Sequence, residues 1–195
     1  MLLTALAAQA SDLEDQFEQE IKKRDKKINE LEDKINKLEY MVDRQEQYTR
    51  RNSIRISGIQ EEENSSDTDT VKKLIKDKLQ VTLPDWELIG CHRVGRPSTN
   101  KTRPILVKLA THHYKTMVYK ARSKLKGTRT FINEDLTKSR AHVAKISRQL
   151  LKDKKISNCW TYDGNIFIKT LNDDVKKYET LNNIFQLFPD LLPNL

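Results

Sequence analysis

The chain has 195 residues, 36% hydrophobic and 33% charged, and its 36 Lys and Arg against 28 Asp and Glu leave a formal net charge of +8. So small an apolar fraction argues against one large core and for several small parts. No apolar run approaches the roughly 20 residues of a membrane helix, and two cysteines, Cys91 and Cys159, are too few for a disulfide scaffold or a structural zinc site.

Residues 1–10 open with an apolar stretch that has no basic flank, so they read as a poorly ordered start rather than a signal peptide. Beyond them the apolar residues fall at Phe17, Ile21, Ile28, Leu31, Ile35, Leu38 and Val42, spaced by 4, 7, 3, 4, 3 and 4. With Ile21 at heptad position a, Ile28, Ile35 and Val42 are also a, and Phe17, Leu31 and Leu38 are d. A strict 3.5-residue repeat drifts on a straight helix and is realigned by left-handed supercoiling around a partner. The remaining positions are almost all charged or amide, so the stripe is too narrow for a globule. Residues 11–50 are therefore predicted to form a parallel coiled coil, with Arg24 as a polar d position that fixes register. Ile at a with Leu at d favours a dimer. Lys27-Ile28-Asn29-Glu30-Leu31-Glu32 and Lys34-Ile35-Asn36-Lys37-Leu38-Glu39 instead resemble a trimerisation signature with Lys in place of Arg. Dimer and trimer both stay open.

Residues 51–136 alternate strand and helix signals. Asn52–Ile59 has period-two alternation closed by Gly58, and Thr70–Leu79 has helical spacing after an acidic, serine-rich loop. Trp86–Val94 reads as a second strand, the near-continuous apolar run Ile105–Ala110 as a third, central one, residues 111–125 as a helix, and Thr130–Asn133 as a fourth strand. The order βαββαβ is that of a ferredoxin-like split βαβ domain, shared by RNA-recognition motifs. Strands one and three carry no aromatic residue, so this sheet is predicted not to stack bases in the usual way.

Residues 137–188 read as helix, hairpin, helix. Thr137–Lys155 is a basic amphipathic helix, Asp163-Gly164 is a type I′ turn signal between Cys159–Tyr162 and Asn165–Lys169, and Asp173–Leu187 reads as a last helix, with 189–195 as a tail. The whole is an α+β protein of three parts.

The charge is concentrated. Residues 11–50 carry 9 basic and 12 acidic side chains, residues 51–136 carry 17 and 10, and the stretch Leu88–Asn133 holds 11 Lys or Arg and no acid. Like charges at that density call for a polyanion, nucleic acid before an anionic membrane.

Several segments then form a family pattern: R-R-N-S-I-R-I-S-G-I at 50–59, C-H-R-V-G-R at 91–96, R-P-I-L-V-K-L at 103–109, Y-K-A-R at 119–122 and F-I-N-E-D-L-T at 131–137. Over roughly residues 20 to 185 the chain resembles the first-open-reading-frame protein of LINE-type non-LTR retrotransposons. The resemblance implies a homotrimeric, sequence-tolerant single-stranded RNA-binding protein with nucleic-acid chaperone activity. Such a protein packages its element's RNA into ribonucleoprotein particles, cytoplasmic with the nucleus as a second location, for retrotransposition. It implies no cofactor, binding of single-stranded DNA as well, and contacts from Arg50, Arg51, Arg55, Arg93, Arg96, Arg103 and Arg122. Lys126 and Arg129 extend that basic set. Arg140, Arg148, Lys154 and Lys155 on the C-terminal helix offer an opposite wall, and Tyr162 and Trp160 are stacking candidates that core packing would also explain. Arginine suits the task because its planar guanidinium bridges phosphates and stacks on bases. No Gly-rich phosphate loop, nucleophile motif or spaced carboxylate pair appears, and His112-His113, adjacent on a helix, do not face one point; an enzyme is not expected. A duplex DNA binder, a host-retained nucleic-acid-binding protein and a plain coiled-coil scaffold are the competing classes.

Overall fold

The computed structural model describes residues 2–61, 66–97 and 102–178, with side chains throughout except at positions 2–8, 10 and 11. The chain divides into two compact units, Met1–Gln45 and Glu46–Leu195.

The first unit belongs to one helix, α1 (Leu2–Arg50), uninterrupted by Gly or Pro. It starts at residue 2 and so runs through residues 2–10. The seam residues Phe17, Ile21, Ile28, Leu31, Ile35, Leu38 and Val42 are all 46–61% exposed. Lys22 pairs with Glu18 at 3.3 Å and Arg24 with Glu20 at 3.1 Å, both at i,i+4 spacing. Such exposed pairs contribute only a few tenths of a kcal/mol each, and none of the described residues covers the apolar stripe.

The second unit starts with the last turn of α1 and holds two antiparallel sheets. The first has strand order β2-β3-β1-β4, built from β1 (Ser53–Ser57), β2 (Leu88–Arg93), β3 (Ile105–Leu109) and β4 (Phe131–Glu134). All three pairings are antiparallel, and the connectivity is the expected βαββαβ. Side chains alternate across the strands. Ile54, Ile56, Ile105, Val107, Leu109 and Ile132 point to one face and pack with Val71, Ile75, Leu79, Val118 and Tyr119 from the helical side. Arg55, Ser57, Leu106, Lys108, Phe131 and Asn133 belong to the other face, where Arg55 is registered with both Leu106 and Asn133, and Ser57 with Phe131.

The helices differ from expectation at their ends. α2 (Asp67–Lys73) begins earlier than Thr70 because the Ser66 side chain accepts from the Asp69 amide, and its last turn widens to a π-helical segment over Leu74–Lys78. Trp86 lies in a 3₁₀ turn, Asp85–Glu87, not in β2. Buried Glu87 accepts from the Thr111 amide at 2.9 Å and hydroxyl at 3.0 Å, and Thr111 in turn caps α3 (His112–Ala121). The chain leaves β1 through Gly58 at φ +88, where a Cβ would sit 1.9 Å from the Arg129 carbonyl oxygen, so only glycine lets the two loops pass.

The C-terminal part begins with α4 (Lys138–Lys152), capped by Thr137. A three-stranded sheet follows, β5 (Asn158–Tyr162), β6 (Asn165–Lys169) and β7 (Val175–Tyr178), in that order. The β5–β6 turn is the predicted one, with Asp163 at φ 50 and Gly164 at φ 75. The expected helix from Asp173 is corrected over its described part: Asp173 takes φ 68, the Thr170 amide donates to the Asp174 carbonyl at 2.9 Å, and the chain turns back to pair Val175–Tyr178 with β6. Residues 179–187 of that predicted helix, and the tail, lie outside the described residues. Tyr178 then packs with Ile166 and Ile168 against Val143 and Leu150 of α4.

The β5–β6 turn is fixed to the first sheet by named bonds. Glu134 of β4 pairs with the Lys115 ammonium through one oxygen and accepts from the Gly164 amide at 3.2 Å through the other. Tyr119 Oη meets Thr161 Oγ1 at 2.8 Å, and His112 Nε2 meets Asp163 Oδ1 at 3.1 Å. Arg140 donates to the Gly164 carbonyl at 2.9 Å. Gln47 donates to the Asp135 carbonyl and accepts from the Thr137 amide, each at 3.0 Å. Gly164 has no room for a side chain, because a Cβ would lie 2.6 Å from the Gln47 Cγ.

Candidate nucleic-acid interface

β4 and α4 line three adjoining hollows in the second unit. Each is bordered by Asn133 and Arg148, so they form one cleft rather than three sites. The first is lined by Tyr119, Arg122, Ser147, Trp160 and Thr161. The second holds Arg50, Arg55 and Lys138 with Glu46 and Glu134. The third holds Arg122, Lys126 and Phe131 with the glycine turn at Gly127.

The cations in this cleft are not equivalent. Arg50 donates to Asp135 at 2.9 Å and to Glu46 at 2.7 Å, and Arg55 donates to Asp135 at 2.5 Å. Buried Asp135 thus takes up much of their charge. Arg122 lies 3.7 Å over the Tyr119 ring centre and gives one N–H to the Tyr119 carbonyl at 2.6 Å, which holds the guanidinium flat and leaves its other donors outward. Burial raises the Tyr119 phenol above its ordinary value, so the ring stays a neutral platform under that cation. Arg148, Lys126 and Lys138 are exposed and form no ion pair or side-chain hydrogen bond with any described residue. Arg148 borders every part of the cleft. Unpaired cations beside a groove are what a phosphate backbone requires.

Other residues singled out from sequence are placed elsewhere. Arg93 is mostly buried and spends its donors on Asp67 and on the carbonyls of Ile59, Gln60 and Arg103, at 2.7–3.0 Å. Arg140 is buried on the Gly164 carbonyl and Asn165. Both spend their donors on bonds inside the fold. Arg103 is forked onto Glu61. Arg51 stacks 4.1 Å over Tyr48 on the last turn of α1. Arg96, Arg129, Lys154 and Lys155 are exposed outside the cleft lining, and Tyr162 is exposed on the C-terminal sheet.

Sequence reading missed Phe131. It is 61% exposed on β4, on the same sheet face as Arg55 and Asn133. The sequence reading concerned β1 and β3, which carry no ring; Phe131 brings one to this face from β4. The alternation Phe131-Ile132-Asn133-Glu134 carried the signal, since buried Ile132 forces Phe131 to the opposite side.

The Glu61–Arg103 fork yields a direct prediction. Hydrogen bonds from the Arg103 side chain and backbone hold the Glu61 carboxyl down to about 2, against an ordinary 4.5. A depressed carboxyl contributes its stabilisation above the unfolded value and loses it as pH falls toward the folded one. The fork is therefore complete above about pH 4.5 and opens between there and about 2. A carbon-detected NMR titration of the Glu61 carboxyl checks this; a midpoint near 4.5 would refute it.

Among the described residues no cluster of three or more His, Cys, Asp or Glu is placed to hold a metal, and no helix is long and apolar enough to cross a membrane. No family model matches the chain, and no curated protein matches it either.

Proposed function

We propose that this chain is a sequence-tolerant single-stranded RNA-binding protein that self-associates through residues 11–50 and acts as a nucleic-acid chaperone. Its task is to package retrotransposon RNA into cytoplasmic ribonucleoprotein particles, in keeping with the motif resemblance of residues 50–137. The observation that carries the reading is the cleft itself, where Arg122, Lys126, Lys138 and Arg148 stand beside the rings of Phe131 and Trp160. Cations track a backbone of any sequence, and rings stack on any base whose face is free. A duplex hides those faces, so the combination favours single strands. Asn133 is an exposed amide in the cleft able to read a base edge, whereas Ser147 is fully buried with its hydroxyl on the Val143 carbonyl and the Thr161 hydroxyl meets Tyr119. The βαββαβ sheet is the scaffold used by RNA-recognition motifs, here with its ring on β4. The exposed seam of α1 supports association, because one chain leaves that stripe in water.

Fluorescence anisotropy with a labelled, unstructured RNA across a salt series tests the reading. Four unpaired or partly paired cations at about 0.7 each give a log–log slope near −3 per bound protomer. A flat salt dependence overturns the proposal, and duplex DNA bound as tightly as the single strand shifts it to a duplex binder. Sedimentation equilibrium of the full chain reports association, for which a monomer is the contrary result.

A further inference from the structure

The C-terminal sheet has a second face that the cleft does not account for. Cys159, Ile166, Ile168 and Tyr178 turn toward α4. The alternate residues turn away, and the register sets Trp160 opposite Phe167 and Phe167 opposite Lys177, one row across all three strands. The Trp160 and Phe167 rings lie 5.7 Å apart between centres and 9° from parallel. Tyr162 and Val175 on the same sheet are 55% and 52% exposed. Burying rings under α4 would have been the ordinary use of them; here the two rings stack on each other on the opposite face, Trp160 36% exposed and Phe167 half-buried. Trp160 also lines the hollow that holds Arg122 and Arg148, so this face runs directly out of the cleft.

We propose that the face of the β5-β6-β7 sheet turned away from α4 is a base-stacking platform for single-stranded nucleic acid, with the Trp160–Phe167 stack as the seed on which bases add, and that it carries the strand on from the cleft. The inference rests on the proposed function and adds a binding mode to it. Two observations favour nucleic acid over a protein partner. One is the continuity with a cationic groove. The other is the geometry: a pair of rings already stacked on each other can be extended by a further stacked ring at the more exposed Trp160, and every base offers a matching π-face. Phosphate charge is met by Arg122 and Arg148 at the cleft end, while Lys169 on this sheet is already paired with Asp173 at 2.7 Å. The platform therefore works by stacking and the cleft by charge.

That division separates the tests. The chain has two tryptophans, Trp86 and Trp160. Trp86→Phe in the full-length protein leaves Trp160 as the sole indole reporter. Titration with an unlabelled oligo(U) strand should quench Trp160 emission in parallel with the anisotropy change of a labelled one. Trp160→Ala should weaken binding by about 5- to 150-fold per stacked base without changing the salt slope, and Trp160→Phe, which keeps a ring, should recover most of it. Arg148→Ala should lower the slope instead. Anisotropy binding with Trp160 emission unchanged, and Trp160→Ala at parental affinity, overturns the platform, leaves the RNA-binding reading standing and leaves this face to a protein partner. Absence of any anisotropy change at low salt overturns the RNA-binding reading, and the platform with it. A thermal melt of each variant keeps unfolding apart from lost contact.

Discussion

Glu134→Ala will destabilise the Glu46–Leu195 unit by about 3–5 kcal/mol, seen as a lower urea midpoint of tryptophan fluorescence. Both members of the Lys115–Glu134 pair are almost fully buried. Burying two charges costs several kcal/mol each, and their attraction offsets this only while both are present. Removing the carboxylate strands the Lys115 ammonium beside the Tyr119 ring, 5.3 Å away, a weak substitute partner. It also leaves the Gly164 amide without its acceptor, and an orphaned buried donor costs a further 1–3 kcal/mol or so. The substitution should thus loosen the β5–β6 turn from β4, not merely soften the sheet. A double variant, Lys115→Met with Glu134→Gln, removes both charges and keeps a carbonyl for Gly164; it should recover most of the loss. A Glu134→Ala midpoint within error of the parent would show that water reaches the pair and that the docking bonds matter little.

That pair was invisible in the sequence, and the reason is physical. Lys115 and Glu134 read as ordinary surface charges, because nothing local announces that α3 and β4 bring them together under a hairpin 30 residues further on. Local signals fared better. The helical run of residues 11–50, the alternations of β1, β3 and β4, the helices beginning near residues 111 and 137 and the Asp163-Gly164 turn each depend on a few adjacent residues, and each element formed where those residues sit. β7 failed because Val175-Lys176-Lys177-Tyr178 satisfies two periods at once. Val175 and Tyr178 are three apart, as on a helix face, yet the open edge of β6 offers backbone partners that an isolated helical turn does not.

The candidate site divides in the same way. Residue type does not reveal whether a guanidinium is free. Arg93 and Arg148 look alike in sequence; one is held by an acid and three carbonyls, the other by no described residue. The acid-free run Leu88–Asn133 contains Arg93, Arg103 and Arg122, and acids from outside the run, Asp67 and Glu61, neutralise the first two. A charge count along the chain therefore overstates the cationic surface, and the fold selects the smaller set that faces the cleft.

The effect of that smaller set should depend on assembly. On the proposed reading, Arg122→Ala with Arg148→Ala removes two phosphate contacts from each Glu46–Leu195 unit, or head, and should lower the salt slope by about 1.4 for one head and by about 4 for three heads on one strand. In a linked assembly each further head binds at a high effective concentration, so losses per head add in free energy and multiply in affinity. At about 1.5–3 kcal/mol per charge-assisted bond, a single head should lose roughly 10²-fold or more, and a three-headed assembly should lose measurable binding near physiological salt. Ile28→Asp with Ile35→Asp supplies the comparison, since charge at two a positions breaks the seam in the full chain while leaving the second unit intact. The seam-broken protein should bind weakly, with a shallower slope, and should lose much less when Arg122 and Arg148 are then replaced. Arg96→Ala with Arg129→Ala removes the same charge from outside the cleft and should cost far less than the cleft pair. Equal losses from the two arginine pairs would mean diffuse attraction to a basic surface. Equal losses in the assembled and seam-broken proteins would mean that the heads do not share one strand.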